Sequence, residues 1–230
     1  GPYIGSDGTV HERGEFGPYV QSKRLHLYRK YADELLVSGH AYYCFCTPEQ
    51  IEEMRQVQTA AKQPVMYDRQ CRRLDPADSA ARVAGGTPHV IRFKVPEPGT
   101  VVFEDVLRGK ISVENATIND LILMKGDGFP TYHLAVIVDD HLMEITHILR
   151  GEEWLSSTPQ HALLYQAFGW SAPAFVHLPL LLNPDRSKLS KRQGDVAVED
   201  YRKHGYLPEE LVNFVALMFW NPSVTQEIYT

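Results

Sequence analysis

The stretch "RSKLSKRQGD", residues 186–195, gathers Arg186, Lys188, Lys191 and Arg192 into a chain whose formal charge is −6. Cations packed this densely around a serine suit the phosphates of a polyanion. Lysines are flexible point charges, and Gly194 allows the loop to bend. The plainer reading is a solvated loop, which is what most charge runs are. A second group is Cys44-Phe45-Cys46 with the distant Cys71, which follows Tyr67 in "YDRQC". Two thiolates one residue apart plus a third can hold zinc, with the tyrosine oxygen as a hard fourth ligand. The alternative is three thiols buried as small apolar groups. A third group of charges runs through Asp139, Asp140, Arg150, Glu152 and Glu153.

These groups need elements to hold them. The spacing of Leu25, Tyr28, Ala32, Leu35 and Leu36 predicts a helix over 22–39, capped by Ser22 and stopped by Gly39. A second helix opens at "TPEQ", with Thr47 as N-cap, Pro48 in the first turn and Gln50 placed for a capping box. "HVIRFKV" alternates, so Ile91, Phe93 and Val95 face inward and Arg92 and Lys94 face water. "TVVFEDVLRGKISVE" reads as a hairpin turning through Arg108-Gly109. Beyond about residue 120, "LILMK", "AVIVDD", "ITHILRG" and "FVHLPLLLN" are nearly continuous apolar runs, the pattern of buried parallel strands. A helix capped at Ser157 or Thr158, with Pro159 in its first turn and Gly169 past its end, separates the last two. Strand, helix, strand is a βαβ unit, and ligands of such sheets sit at the carboxyl ends of the strands. Asp139 and Asp140 read more safely as caps than as strand-end groups. "LPEELVNFVALMFW" is a further amphipathic helix.

Composition excludes several classes of function. The chain is 230 residues long, 43% apolar and 23% charged. The longest apolar stretch is too short to span a membrane, and no signal or transit peptide is evident. Net acidity argues against indiscriminate nucleic-acid binding but leaves room for a local basic groove. An odd cysteine count points to a reducing compartment rather than a disulfide framework.

"KLSKR" looks like the second ATP motif of class I aminoacyl-tRNA synthetases. "GPYVQSKRLHLY", "DGFPTYHLAVIVDD", "ITHILRGEEWLSSTPQHALLYQAFGW" and "KLSKRQGDVAVEDYRKHGYLPEELVNFV" resemble glutamyl-tRNA synthetases of the bacterial and organellar type, over essentially the whole chain. The resemblance implies an α/β fold: part of a Rossmann-type catalytic domain carrying an inserted α+β domain that binds the tRNA acceptor stem. Residues 1–39 would end the first Rossmann half and 40–120 form the insertion. Residues 121–185 would form the second half, and 186–230 the lysine loop and the start of a stem-contact region. It further implies ATP- and Mg²⁺-dependent activation of L-glutamate and its transfer to tRNA(Glu), by a monomer in the bacterial cytoplasm or mitochondrial matrix.

The resemblance assigns residues as well. Lys191 and Lys188 would be catalytic, and Glu153, Lys188, Leu189, Ser190, Lys191 and Arg192 would line the ATP site. Tyr132, Val136 and Arg150 would meet glutamate, Arg150 gripping its side-chain carboxylate; its structural alternative is a salt bridge to Glu152 or Glu153. Cys44, Cys46, Tyr67 and Cys71 fall where some relatives carry structural zinc, while Arg73 replaces a histidine frequent in that pattern. The first ATP motif, its upstream arginine and serine, and an anticodon domain have no counterpart in these 230 residues. An interior segment, inactive by itself, is therefore the expectation. A queuosine-glutamylating paralogue and a non-catalytic tRNA-binding fragment are the alternatives.

Overall fold

A computed structural model describes residues 1–180, 182–183, 185–187, 197–219 and 228, with the side chain of 219 left out. A short hairpin, β1 (Pro2–Ile4) and β2 (Val10–Glu12), precedes helix α1 (Leu25–Val37). A 3-10 turn over Gln21–Lys23 takes up the expected first turn of α1. Arg24, not Ser22, therefore stands at its cap, without a side-chain cap bond. The other end is as expected: Gly39 adopts φ +75°, and the Gly39 and His40 amides return to the carbonyls of Leu36 and Leu35. Tyr28, Ala32 and Leu35 of α1 are buried.

Strand β3 (Ala41–Cys44) leads to α2 (Pro48–Ala60), whose capping box is formed. Gln50 N donates to Thr47 Oγ1 at 3.3 Å, and Thr47 N donates to Gln50 Oε1 at 2.9 Å. Helix α3 (Pro76–Ala84) precedes β4 (Val90–Phe93), which pairs antiparallel with β3 on one side and β7 (Ile122–Met124) on the other. Ile91, Phe93 and Val95 do face the core. Arg92 does not face water: it is 7% exposed, with its guanidinium 4.0 Å from the centre of the Tyr67 ring and donating to the Asp120 carbonyl. The loop carrying Tyr67 closes over that side of the strand. β7 is antiparallel, so "LILMK" is not the parallel strand its apolar run suggested.

A second sheet has the order β6-β5-β9-β8. Its hairpin, β5 (Thr100–Asp105) and β6 (Gly109–Glu114), turns through Val106–Arg108 into Gly109 at φ +71°. β8 (His147–Gly151), α5 (Thr158–Phe168) and β9 (Ala174–Leu178) form the expected βαβ unit, with β8 and β9 parallel and in register from His147↔Ala174 to Gly151↔Leu178. Gly169 ends α5 at φ +69°. Because β5 pairs parallel with β9 at Asp105↔Phe175, this sheet joins chain from both sides of residue 120. "AVIVDD" is not a strand: it lies in α4 (Tyr132–Leu142), with Leu134, Ala135, Ile137 and Val138 buried. One core runs beneath α1, α4, α5 and both sheets, and a small satellite surrounds Cys44, Tyr67 and Cys71. Helices α6 (Val198–Lys203) and α7 (Pro208–Phe219) follow, the latter matching the expected amphipathic segment. Among the described residues no helix is long and apolar enough to cross a membrane.

Candidate functional site

Arg150 lies near the carboxyl end of β8, opposite His177 on β9. Among the described residues its guanidinium makes three hydrogen bonds, none to an acid. Nε donates to His177 Nε2 at 3.0 Å, one Nη donates to His161 Nδ1 at 3.3 Å, and the other donates to Thr158 Oγ1 at 2.8 Å. A guanidinium only donates, so both imidazoles must present lone pairs there, which fixes their tautomers. His177 carries its proton on Nδ1 and gives it to Asp105 Oδ2 at 2.6 Å. His161 carries its proton on Nε2 and gives it to His133 Nδ1 at 2.9 Å. Burial, then the Arg150 charge, holds the His161 pKa down at about 3, and the same two causes lower His133. Burial works against the Asp105 carboxylate, but the His177 bond and the amides of Leu107 and Arg108 outweigh it and lower its pKa.

The salt-bridge alternative for Arg150 fails for Glu152, which pairs with Arg108 and accepts from the Leu180 amide. Glu153 stands exposed in the 3-10 turn after β8. Tyr132 is the first residue of α4, not a strand residue. It is half-exposed, with its ring centre 4.8 Å from Trp154 and 6.1 Å from His161. Trp154 in turn lies 6.0 Å from the Arg150 guanidinium carbon. Arg150 and Tyr132 are thus brought to one place. Val136, one helical turn along α4, packs at the edge of the core. Asp139 is neither a cap nor a strand-end group: it accepts from Arg24 at 2.7 Å and from the Tyr28 hydroxyl, bolting α1 to α4. Asp140 is different. Burial, then Asp139, pushes its pKa up to about 6, with Arg150 opposing. Lys188, Leu189, Ser190, Lys191 and Arg192 fall outside the described residues.

The second group also assembles. The sulfurs of Cys44, Cys46 and Cys71 lie within 4.8 Å of one another, and all three cysteines are free. Tyr67 Oη sits 3.3 Å from Cys44 Sγ and 3.3 Å from Cys46 Sγ. The Phe45 amide donates to Cys71 Sγ, and the Gln70 amide nitrogen donates to Cys46 Sγ. Burial, then neighbouring thiols, pushes Cys46 up to about 12, although the Tyr67 bond opposes this. Burial also disfavours the Cys44 thiolate, but bonds from Tyr67, the Cys46 amide and Arg92 prevail and lower its pKa. Crowded sulfurs that cannot all ionise alone, with N–H groups aimed at them, fit a thiophilic cation with one oxygen ligand. A cavity of about 1000 Å³ is lined by members of both groups, Cys44 and Cys46 from one and His133 from the other.

A family model described as the catalytic domain of class I tRNA synthetases (E and Q) matches residues 8–230. The chain belongs to that family. It is 54% identical to the glutamate–tRNA ligase of Clostridioides difficile (strain 630) over 230 residues, which is all of this chain and 47% of that protein. Over 224 residues it is 57% identical to the glutamate–tRNA ligase of Chlorobaculum parvum (strain DSM 263 / NCIMB 8327), covering 95% of this chain and 44% of that one. Its fold superposes on the crystal structure of a glutamate tRNA ligase from Elizabethkingia meningosepticum CCUG26117 in complex with its amino acid, with TM-score 0.82 and 40% identity. That match covers 94% of this chain and 48% of that one. The chain spans about half the length of the relatives it matches. As a family member it has the class I α/β fold that its sequence led one to expect.

Sequence reasoning missed the groups behind Arg150: Asp105, His133, Thr158, His161 and His177. Each histidine was visible inside an otherwise apolar segment, a costly place for an imidazole without partners. Nothing local said that two of them converge on one guanidinium and the third backs one of these.

Proposed function

We propose that the protein is a glutamate–tRNA ligase. It joins the α-carboxylate of glutamate to the α-phosphate of ATP, releases pyrophosphate, and passes the glutamyl group to the 3′ end of tRNA(Glu). The observation that carries the reading is Arg150, a cation held by neutral acceptors, beside Tyr132 and Trp154 at a strand's carboxyl end in a chain of the E and Q family. Such a fork suits a γ-carboxylate that must be told from an amide. Tyr132 frames the same side chain and Val136 closes the pocket. Glu153, Leu189, Ser190 and Arg192 border ATP. Lys191 stabilises charge on the α-phosphate and the departing pyrophosphate, Lys188 and Arg192 hold the outer phosphates, and Mg²⁺ accompanies the nucleotide. Residues 40–120 present the tRNA end, held by zinc on Cys44, Cys46, Cys71 and Tyr67; the ion, when bound, supplies structural cross-linking, not chemistry. The protein acts as a monomer in the cytoplasm or mitochondrial matrix.

ATP–pyrophosphate exchange by the full-length protein, with glutamate or glutamine and with or without tRNA, tests the reading. Exchange that requires glutamate and is enhanced by tRNA is expected. Exchange driven equally by glutamine, or none with either amino acid, overturns it.

A further inference from the structure

Among the described residues Arg150 sits near several carboxylates, yet hydrogen-bonds none of them. Glu152 is turned away to Arg108, Asp105 lies behind His177, and Asp140 on α4 interacts with Arg150 through charge alone, without a hydrogen bond. A carboxylate partner would hold the guanidinium equally well but would cancel its charge and compete with any incoming anion. Neutral imidazole lone pairs fix the plane of the fork and leave the full charge for a ligand. Each of these lone pairs is enforced from behind. Asp105 takes the His177 Nδ1 proton, and His133 takes the His161 Nε2 proton.

We propose that His161 and His177 are positioning residues for Arg150, acting through it to set the preference for an acidic amino-acid side chain over its amide. This rests on the ligase reading, in which Arg150 meets the substrate's γ-carboxylate. Tyr132 and Trp154, with ring centres 4.8 Å apart, lie beside Arg150. Thr158, which accepts from the remaining Nη and is fully buried, completes the cradle. His133 has a second part: it backs His161 and lines the large cavity, so a group bound there can reach the cradle through one imidazole.

Two substitutions separate positioning from bulk structure. An asparagine side chain places its oxygen near where Nδ1 of histidine lies, and a glutamine places its amide near Nε2. His161→Asn therefore retains an acceptor for Arg150 and loses the bond to His133; His161→Gln does the reverse. Both lose the ring and should lower the melting temperature alike. In pyrophosphate exchange by the full-length protein, H161N should keep a glutamate KM within about threefold of the parent, while H161Q should raise it on the order of tenfold or more. The ATP KM should hold in both, and the glutamate-over-glutamine preference should narrow only in H161Q. Equal glutamate KM values for the two variants, or a loss confined to kcat, overturn the inference with the ligase reading intact. A parent protein that activates no glutamate overturns that reading, and this inference with it. Should both variants melt below the assay temperature, nitrogen NMR of ¹⁵N-histidine-labelled parent protein decides: unprotonated Nδ1 of His161 and Nε2 of His177 are expected, and a protonated nitrogen at either position overturns it.

Discussion

The two polar clusters that contribute to the cavity lining, the Arg150 end and the cysteine end, solve opposite electrostatic problems. At the Arg150 end the chain supplies its own cation and gives it hydrogen-bond acceptors that carry no charge, His161, His177 and Thr158. At the Cys46 end it supplies latent anions, three thiols and a phenol, and surrounds them with N–H donors. The first arrangement calls for an anionic ligand, and the second calls for a cation. The lesson is that buried polar clusters are read by what they fail to neutralise: the chain balances neither end internally, and each balance fixes the class of partner.

The largest expected effect breaks the first end. Arg150→Gln should weaken glutamate by about 2–5 kcal/mol, the usual loss when a buried carboxylate loses its cationic partner. The glutamate KM in pyrophosphate exchange reads this, and the preference over glutamine should shrink with it. ATP binding that falls while glutamate binding holds would assign Arg150 to the nucleotide instead. At the other end, Cys71→Ser should take bound zinc from about one per chain to well below it, by elemental analysis, since a structural site needs its full ligand set. Its melting temperature should drop by several degrees, given that ~1 kcal/mol moves a domain of this size by about 2–4 °C. Protein free of metal whose melting curve ignores chelator would return the thiols to simple apolar packing.

A milder variant sharpens the second end. Tyr67→Phe keeps the ring beneath Arg92 and deletes only Oη, so stability should fall by about 1 kcal/mol in denaturant melts while zinc leaves faster to chelator. The smallest effect is on pH dependence. His161 is held at about 3 against an ordinary 6.5, so the unfolded chain takes up that proton first, and stability should decline as pH falls below about 6.5. Asp140 acts with the opposite sign. Its pKa is raised from 3.8 to about 6, so the folded state keeps that proton longer, and stability should decline as pH rises between those values. Melting temperatures across that range should show the acid limb flattened in His161→Asn, with the Asp140 limb retained. An unchanged acid limb would mean that His161 ionises freely in the fold.

What was legible in the sequence was what is local. The capping box at Thr47 and Gln50, the glycine stops at 39 and 169, the turn at Arg108-Gly109 and the β8-α5-β9 unit are written in spacings a few residues long. "AVIVDD" was not, because a four-residue apolar run is equally part of a buried strand or one side of a buried helix, and length alone does not decide. Arg92 alternated correctly for a wet face. Only the fold reveals that Tyr67 and Asp120, both 25 or more residues away, close over it. Arg150 and Tyr132 came from family motifs, whereas the two imidazoles that aim Arg150 and the one that backs His161 belong to three separate elements and carry no shared spacing.

Asp105 has a consequence for timing. It caps the hairpin turn with one oxygen, accepting the Leu107 and Arg108 amides, and with the other it takes both the backbone amide and the ring proton of His177, 72 residues further on. The cradle around Arg150 therefore cannot exist in a chain still emerging from the ribosome until β9 has been made and has found β5. Pairings of such long reach are late events in folding. The site is born with the whole sheet rather than ahead of it. The His177 amide, sealed against a carboxylate, should be among the slowest in the molecule to exchange with deuterium, and its exchange rate becomes a clock for how often the assembled cradle comes apart.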